Sequence, residues 1–331
     1  MEGRRLVAVG NRVEVEAVDV ADPGPGQILV RVSRSQVSAG SEAVVLLAAS
    51  PERRPLGYTL VGTVMASGPG AAYGEGDRVL AFGGHGSHWL IGQEDQDELS
   101  GAHQRIDYDA EALSDDQATF AVLGDVALLG IRRAELQIDE SAAIFGQGVV
   151  GQLTTALCRV SGAHPIIAVD LDDARLELAR ASGATHTVNA TKDDPVAAVQ
   201  EITSGGAQCV FHATPDPNVL IPAMQAAGDR GKVMLVGSPP GTVEIGLQVE
   251  LLRNELDIRG VYGSGLEDNA HPRYPWTRRR NRRAIMRLIA EGTLQVDPLI
   301  SHVARPEDAP SLYRQMLEGT AGWMSILFDW D

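Results

Sequence analysis

The chain has 331 residues, 44% of them apolar, enough for more than one packed core, and two domains are the natural expectation. Its 28 Lys and Arg against 44 Asp and Glu leave a net charge of −16, the wrong sign for a nucleic-acid binder or a partner of anionic membranes. Two cysteines, Cys158 and Cys209, exclude a disulfide-stapled scaffold and any zinc site built mainly from thiolates.

From the N-terminus, the apolar stretch Leu6-Val7-Ala8-Val9 is too short for a signal peptide, so a cytoplasmic protein is expected. Residues 12–20 alternate with period two, and 28–32 follow the turn Pro23-Gly24-Pro25-Gly26. Residues 59–65 and 78–82 are further short strands between glycine turns, which together suggest an irregular, barrel-like β domain up to about residue 115. Ser114-Asp115-Asp116-Gln117 then reads as a helix start ahead of the apolar run 118–131. That run contains Asp125 and ends at Arg132-Arg133, which makes it a buried helix and not a membrane span.

After Ser141 strands and helices alternate: 142–145, 149–161, 166–170, 173–182, 196–202, 209–213, 220–227 and 232–236. Alternation of this kind predicts βαβ units and a doubly wound parallel sheet. The last segment carries a helix over 282–291, a β-like stretch near 298–303, a helix over 307–317 and a closing strand at 324–328. Cys158, Cys209, Met224, Met286 and Met316 are expected as core material.

Within the first βαβ unit, Gly146-Gln147-Gly148-Val149-Val150-Gly151 is a Gly-x-Gly-x-x-Gly turn between a strand and a helix. Gly146 permits the tight turn, Gly148 lets the backbone approach a pyrophosphate, and Gly151 lets helix pack on strand. The amides of the first helical turn, at Val149 and Val150, then point at phosphate. The next strand ends in Asp170, nineteen residues after Gly151, where a carboxylate meets ribose hydroxyls; Leu171 follows it. Asp170 repels a 2′-phosphate and no Arg follows it directly, so NAD is favoured over NADP, although Arg175 leaves NADP open.

With a β domain first and a dinucleotide fold second, the chain resembles the medium-chain dehydrogenase/reductase superfamily, the relatives of zinc alcohol dehydrogenase. The marks are Pro25-Gly26-Gln27-Ile28-Leu29-Val30-Arg31-Val32, Gly57-Tyr58-Thr59-Leu60-Val61-Gly62, Gly76-Asp77-Arg78-Val79, the run 175–184, and Glu291-Gly292-Thr293-Leu294 before Pro298-Leu299-Ile300-Ser301. The resemblance implies a GroES-like catalytic domain split into 1–118 and 264–331 around a Rossmann domain at 119–263, with the nicotinamide in the cleft. It adds Thr214, Gly237, Tyr262 and Gly263 to the coenzyme-binding residues, and it implies a homodimer or homotetramer acting on a small molecule.

The metal positions depart from the family. Where zinc members carry Cys-Gly-Thr-Asp the chain has Ala39-Gly40-Ser41-Glu42, Gly-His-Glu becomes Gly57-Tyr58-Thr59, and an ungapped count puts the third ligand near Ala121. None of these holds Zn²⁺, which needs thiolate, imidazole or carboxylate. The four-cysteine lobe of a structural zinc is missing as well, so no zinc is expected.

Side chains must then handle the substrate oxygen and its proton. Only Lys192 and Lys232 are lysines, and both lie in the dinucleotide-fold sequence, so a Tyr–Lys pair is not expected. Ser41, at the family's relay-hydroxyl position, and Tyr58, at a lost ligand position, are read as holding the substrate oxygen, with Asp125 or His85 accepting the proton. Each has a plainer alternative: a capping serine, a ring filling the vacated space, a salt-bridged Asp and a solvated loop His. The basic run from His271 to Arg283 is a solvated helix start or subunit contact, or else a site for an anionic or polyhydroxylated substrate.

The function expected is a zinc-independent NAD(H)-dependent oxidoreductase interconverting a secondary alcohol and a ketone on a polar metabolite. An NADPH-dependent quinone or enoyl reductase is the alternative, and a catalytically silent NAD-binding module is a third.

Overall fold

The computed structural model describes residues 1–92, 103–262, 275–319 and 322–331. The chain divides into two compact units, Met1–Val122 with Leu266–Gly292 and Val296–Asp331, and Leu123–Gly265 with Thr293–Gln295.

The first unit is β-rich because alternating, β-branched segments need a face to bury. Its larger sheet runs Ile300–Ala304, Ser325–Asp329, Ile28–Gln36, Leu60–Ser67, Arg78–Ala81, His103–Arg105, and His88–Ile91 also pairs with the third of these. Apart from the parallel pair of C-terminal strands, the neighbours are antiparallel. A three-stranded sheet joins Arg12–Asp19, Glu2–Val9 and Arg54–Pro55. Leu6, Ile28, Val30, Leu60, Tyr313 and Phe328 belong to its core.

The helix Asp115–Ala134 opens with the expected acids. Ser114 Oγ accepts from the Gln117 amide (3.2 Å) and Gln117 Oε1 accepts from the Ser114 amide (3.1 Å), a reciprocal cap. Asp115 pairs with Arg78 and Asp116 with Arg34, fixing the helix start to the sheet.

The second unit is a parallel sheet in the order His186–Asn189, Ile166–Asp170, Ala142–Phe145, Ala207–His212, Ala227–Leu235, Asp257–Gly260. In order of appearance this is 3-2-1-4-5-6, the doubly wound order whose reversal opens a ligand crevice at the carboxyl ends of the first and fourth strands. The fold is thus mixed α/β, a Rossmann-like parallel sheet with separate, mostly antiparallel sheets. Cys158, Cys209, Met224 and Met286 are buried, and Met316 packs against the first core.

Several elements differ from the sequence expectation. The basic helix begins at Arg278, not 282, because Thr277 Oγ accepts from the Arg280 amide (3.2 Å) and arginine is a good helix former. Arg282 is buried, while Arg280 lies over the Trp276 ring at 4.2 Å. Residues 271–274 of that run are outside the described residues. The strands His186–Asn189 and Asp257–Gly260 carry too few apolar residues to show periodicity, yet both lie at the sheet's edges. The short helix Ala39–Leu47 was not expected.

Candidate active site

The coenzyme-type site lies in the second unit, at the carboxyl edge of the parallel sheet. Gly146 has φ +93° and turns the chain out of Ala142–Phe145. A Cβ on Gly151 would sit 1.8 Å from the Gly146 carbonyl oxygen, so only glycine lets the helix Val149–Val160 approach the strand. At Gly148 a Cβ would meet nothing within 4 Å, and this open cradle fits a pyrophosphate.

Asp170 Oδ2 accepts from the Gln147 amide (2.6 Å), and Oδ1 accepts from those of Leu171 (2.8 Å) and Asp172 (3.0 Å). Three acceptor positions of the carboxylate are used, and the fourth is left for a further donor. Thr214 and Gly237 follow the fourth and fifth strands of this sheet, Ala207–His212 and Ala227–Leu235, and a Cβ on Gly237 would lie 2.7 Å from the Thr214 carbonyl oxygen. Arg175 lies in the helix Asp173–Ser182, where its carbonyl accepts from Gln152 (2.8 Å). Tyr262, 75% exposed, follows the last strand, and Gly263 lies outside the described residues. Asp125 is buried in this unit at 2% exposure and its side chain is engaged.

The first unit carries a chain of hydroxyls. The half-buried Tyr58 donates to Ser38 Oγ (2.6 Å), and Ser38 donates to the exposed Ser41 (3.4 Å). The Tyr58 ring stacks on Phe82 (5.4 Å between centroids), which is 47% exposed. Burial pushes the phenol above its ordinary value of 10.0, against the lowering bonds to Ser38 and Ser41, and the charge of Glu42 pushes it further up. Tyr58 is therefore a neutral hydrogen-bond donor near neutral pH, not a phenolate base.

His85 departs from both readings of a loop histidine. It is 0% exposed, neither solvated nor facing a pocket, and both ring nitrogens are held, Nδ1 by Ser35 Oγ (2.7 Å) and Nε2 by Glu42 Oε2 (3.2 Å). The physical reason is Gly57, whose missing Cβ leaves room for the imidazole. Sequence reasoning missed Ser38 and Glu42; the available signal was an acid at the first turn of a short helix whose N-cap position is Ser38.

The residues do not fit a catalytic zinc. The positions that the resemblance assigns to ligands hold Ala39, Tyr58 and, near the third, Ala121, and Tyr58 is joined to hydroxyls. Among the described residues no group of three or more His, Cys, Asp or Glu side chains is disposed to hold a metal.

Residues 149–275 match the family described as zinc-binding dehydrogenase. The chain is 27% identical over 328 residues to the L-threonine 3-dehydrogenase of Pyrococcus horikoshii, with 88% of each chain covered. The fold matches the 2R,3R-butanediol dehydrogenase of Bacillus subtilis with a TM-score of 0.81 at 21% identity, covering 99% of each chain. It matches the galactitol-1-phosphate dehydrogenase of Escherichia coli with a TM-score of 0.81 at 17% identity, covering 98% of this chain and 99% of that one. The dinucleotide turn, the 3-2-1-4-5-6 sheet and this full-length likeness to dehydrogenases agree, and residues 149–275 carry the match to the zinc-binding dehydrogenase family.

Proposed function

We propose that this dehydrogenase interconverts a secondary alcohol and a ketone with NAD(H), using hydroxyl groups in place of zinc. The observation that carries the reading is the Tyr58–Ser38–Ser41 hydrogen-bonded chain, in which Tyr58 stands at a position where the family resemblance implies a metal ligand. A metal-free site needs a donor aimed at the oxygen on which charge develops, and a protonated phenol backed by two hydroxyls supplies one. Relatives named for L-threonine, 2R,3R-butanediol and galactitol 1-phosphate point to a small polar alcohol as substrate.

NAD(H), when held at the Gly146–Gly151 turn, would supply the hydride for the carbonyl carbon. For the transfer the hydroxyl hydrogens must turn, so that Ser41 donates to Ser38 and Ser38 to Tyr58 and the phenol proton is freed for the substrate oxygen. The alkoxide would then take the Tyr58 proton, Tyr58 one from Ser38, and Ser38 one from Ser41, which is exposed and exchanges with water. Oxidation runs the same transfers backwards. Asp125, on the second unit, takes no step in this scheme. Asp170 in the coenzyme turn supports NAD(H) over NADP(H) by charge repulsion.

The test is coenzyme turnover across a panel of β-hydroxy acids, diols and polyol phosphates with their ketones, with and without a strong zinc chelator. Activity with NAD(H), indifferent to chelation and reduced about 10²- to 10³-fold in Tyr58→Phe, is expected. Chelator-sensitive activity overturns the zinc-free reading, and a clear preference for NADPH with alkene substrates overturns the alcohol reading.

A further inference from the structure

We propose that Glu42 and His85 form a buried positioning pair that holds Tyr58 and Ser38 in hydrogen-bonding register, a role that rests on the reading of these hydroxyls as the substrate-oxygen site. Glu42 is 2% exposed, and a carboxyl so deep is unfavourable unless its oxygens are bonded. Oε1 accepts from the Ser38 amide (2.7 Å), and Oε2 accepts from the Tyr313 hydroxyl and faces His85 Nε2. The carboxyl thereby ties the start of the helix Ala39–Leu47, with Ser38 and Ser41, to the C-terminal helix Ala309–Leu317.

His85 fixes the other partner. Its amide donates to the Leu56 carbonyl (2.7 Å), and its ring lies within 2.7–2.8 Å of where a Cβ on Gly57 would sit, so the backbone just before Tyr58 is clamped. The donor-only Trp330 indole bonds Ser35 Oγ (2.9 Å). The arrangement that places every proton then has Ser35 donating to Nδ1 and Nε2–H donating to Glu42.

The pair reaches the hydroxyls through the Ser38 amide and the backbone around Gly57, not through a hydroxyl proton. It therefore passes no proton to substrate, and its effect is geometric. Displacing a catalytic group by a fraction of an ångström is enough to lower a rate severalfold or more.

Glu42→Gln and Tyr313→Phe, made in the full-length protein, test this with two readouts. In protein labelled with ¹³Cζ-tyrosine, the Tyr58 resonance, identified by its loss in Tyr58→Phe, is expected to shift in both variants without any substrate. In turnover, kcat is expected to fall about tenfold with the KM for coenzyme unchanged, and that fall is expected to vanish in a Tyr58→Phe background. An unmoved Tyr58 resonance in folded Glu42→Gln overturns the proposal, as do effects of Glu42→Gln and Tyr58→Phe that simply add. A shifted resonance in a protein that turns over no alcohol or ketone supports the positioning role and sinks the catalytic reading instead. Should Glu42→Gln not fold, Tyr313→Phe decides by the same criteria, since it removes one hydroxyl from a ring that stays stacked on Phe328.

Discussion

Substituting Gly57 by alanine probes the wedge between His85 and Tyr58. Gly57 has φ +84°, and a Cβ there would lie 2.7–2.8 Å from three atoms of the His85 ring. The left-handed conformation costs alanine about 1–2 kcal/mol. The ring cannot retreat without stretching its bonds to Ser35 and Glu42, and it meets the Phe328 ring edge-on at 5.3 Å, so overpacking adds about 1–3 kcal/mol. Together these give a loss of about 2–5 kcal/mol, confined to the first unit. All four tryptophans, Trp89, Trp276, Trp323 and Trp330, belong to that unit, so urea unfolding followed by tryptophan fluorescence reads it separately from the parallel sheet. With an m value of about 2 kcal/mol/M the midpoint is expected to fall by about 1–2.5 M. In a His85→Ala background the steric part disappears and only the backbone part remains. A Gly57→Ala midpoint within about 0.3 M of wild type refutes the wedge, and an undiminished loss in the His85→Ala background refutes its assignment to the ring.

Two glycines of the dinucleotide turn separate folding from binding. Gly148→Ala, with open space around the new methyl, is expected to leave thermal stability unchanged and weaken NADH binding at least about tenfold by calorimetry, because the methyl enters the phosphate cradle. Gly151→Ala, 1.8 Å from a carbonyl oxygen, is expected to destabilise the parallel-sheet unit itself, seen as an early far-ultraviolet dichroism transition; equal behaviour of the two variants refutes the assignment. Burial pushes the Cys209 thiol up from 9.0 to about 12 and raises Cys158 well above its ordinary value, so folding favours their protonated forms. That contribution is whole below about pH 9 and is lost as pH rises toward 12, at about 1.4 kcal/mol per pH unit for each thiol. A urea midpoint of the second unit that stays flat between about pH 9 and 11 contradicts this, as does rapid thiol alkylation in the native protein near pH 8.

Legibility in the sequence followed locality. The turn Gly146–Gly151 and Asp170 lie within one βαβ unit, where the spacing alone determines which atoms meet, and the 3-2-1-4-5-6 sheet is built by repeating such units. Tyr58 and Ser38 meet only because Ile28–Gln36 and Leu60–Ser67 pair antiparallel with Ser35 opposite Leu60, a register that continues as the Gln36 amide donates to the Thr59 carbonyl. A shift of one residue would turn every side chain of that pairing to the opposite face. Tyr313 reaches Glu42 across 271 residues of chain, a distance at which no periodicity in the sequence carries information.

The sequence has Ala39 and Tyr58 where the family resemblance implies metal ligands, which says only which residue types are absent. What replaces them depends on how a carboxyl can be kept at 2% exposure, and that is a question of partners. Glu42 has three donors around it, from Ser38, His85 and Tyr313, and each comes from a different part of the chain. Withdrawing any one leaves a buried oxygen short of a partner, at about 1–3 kcal/mol. The same bonds that stabilise the carboxyl also fix the amide of Ser38, and Ser38 is the residue to which Tyr58 donates. Stability of the first unit and alignment of the hydroxyl chain are therefore coupled through one side chain. Substitutions that relieve the burial of Glu42 by loosening the core around it are expected to slow hydride transfer before they unfold the protein.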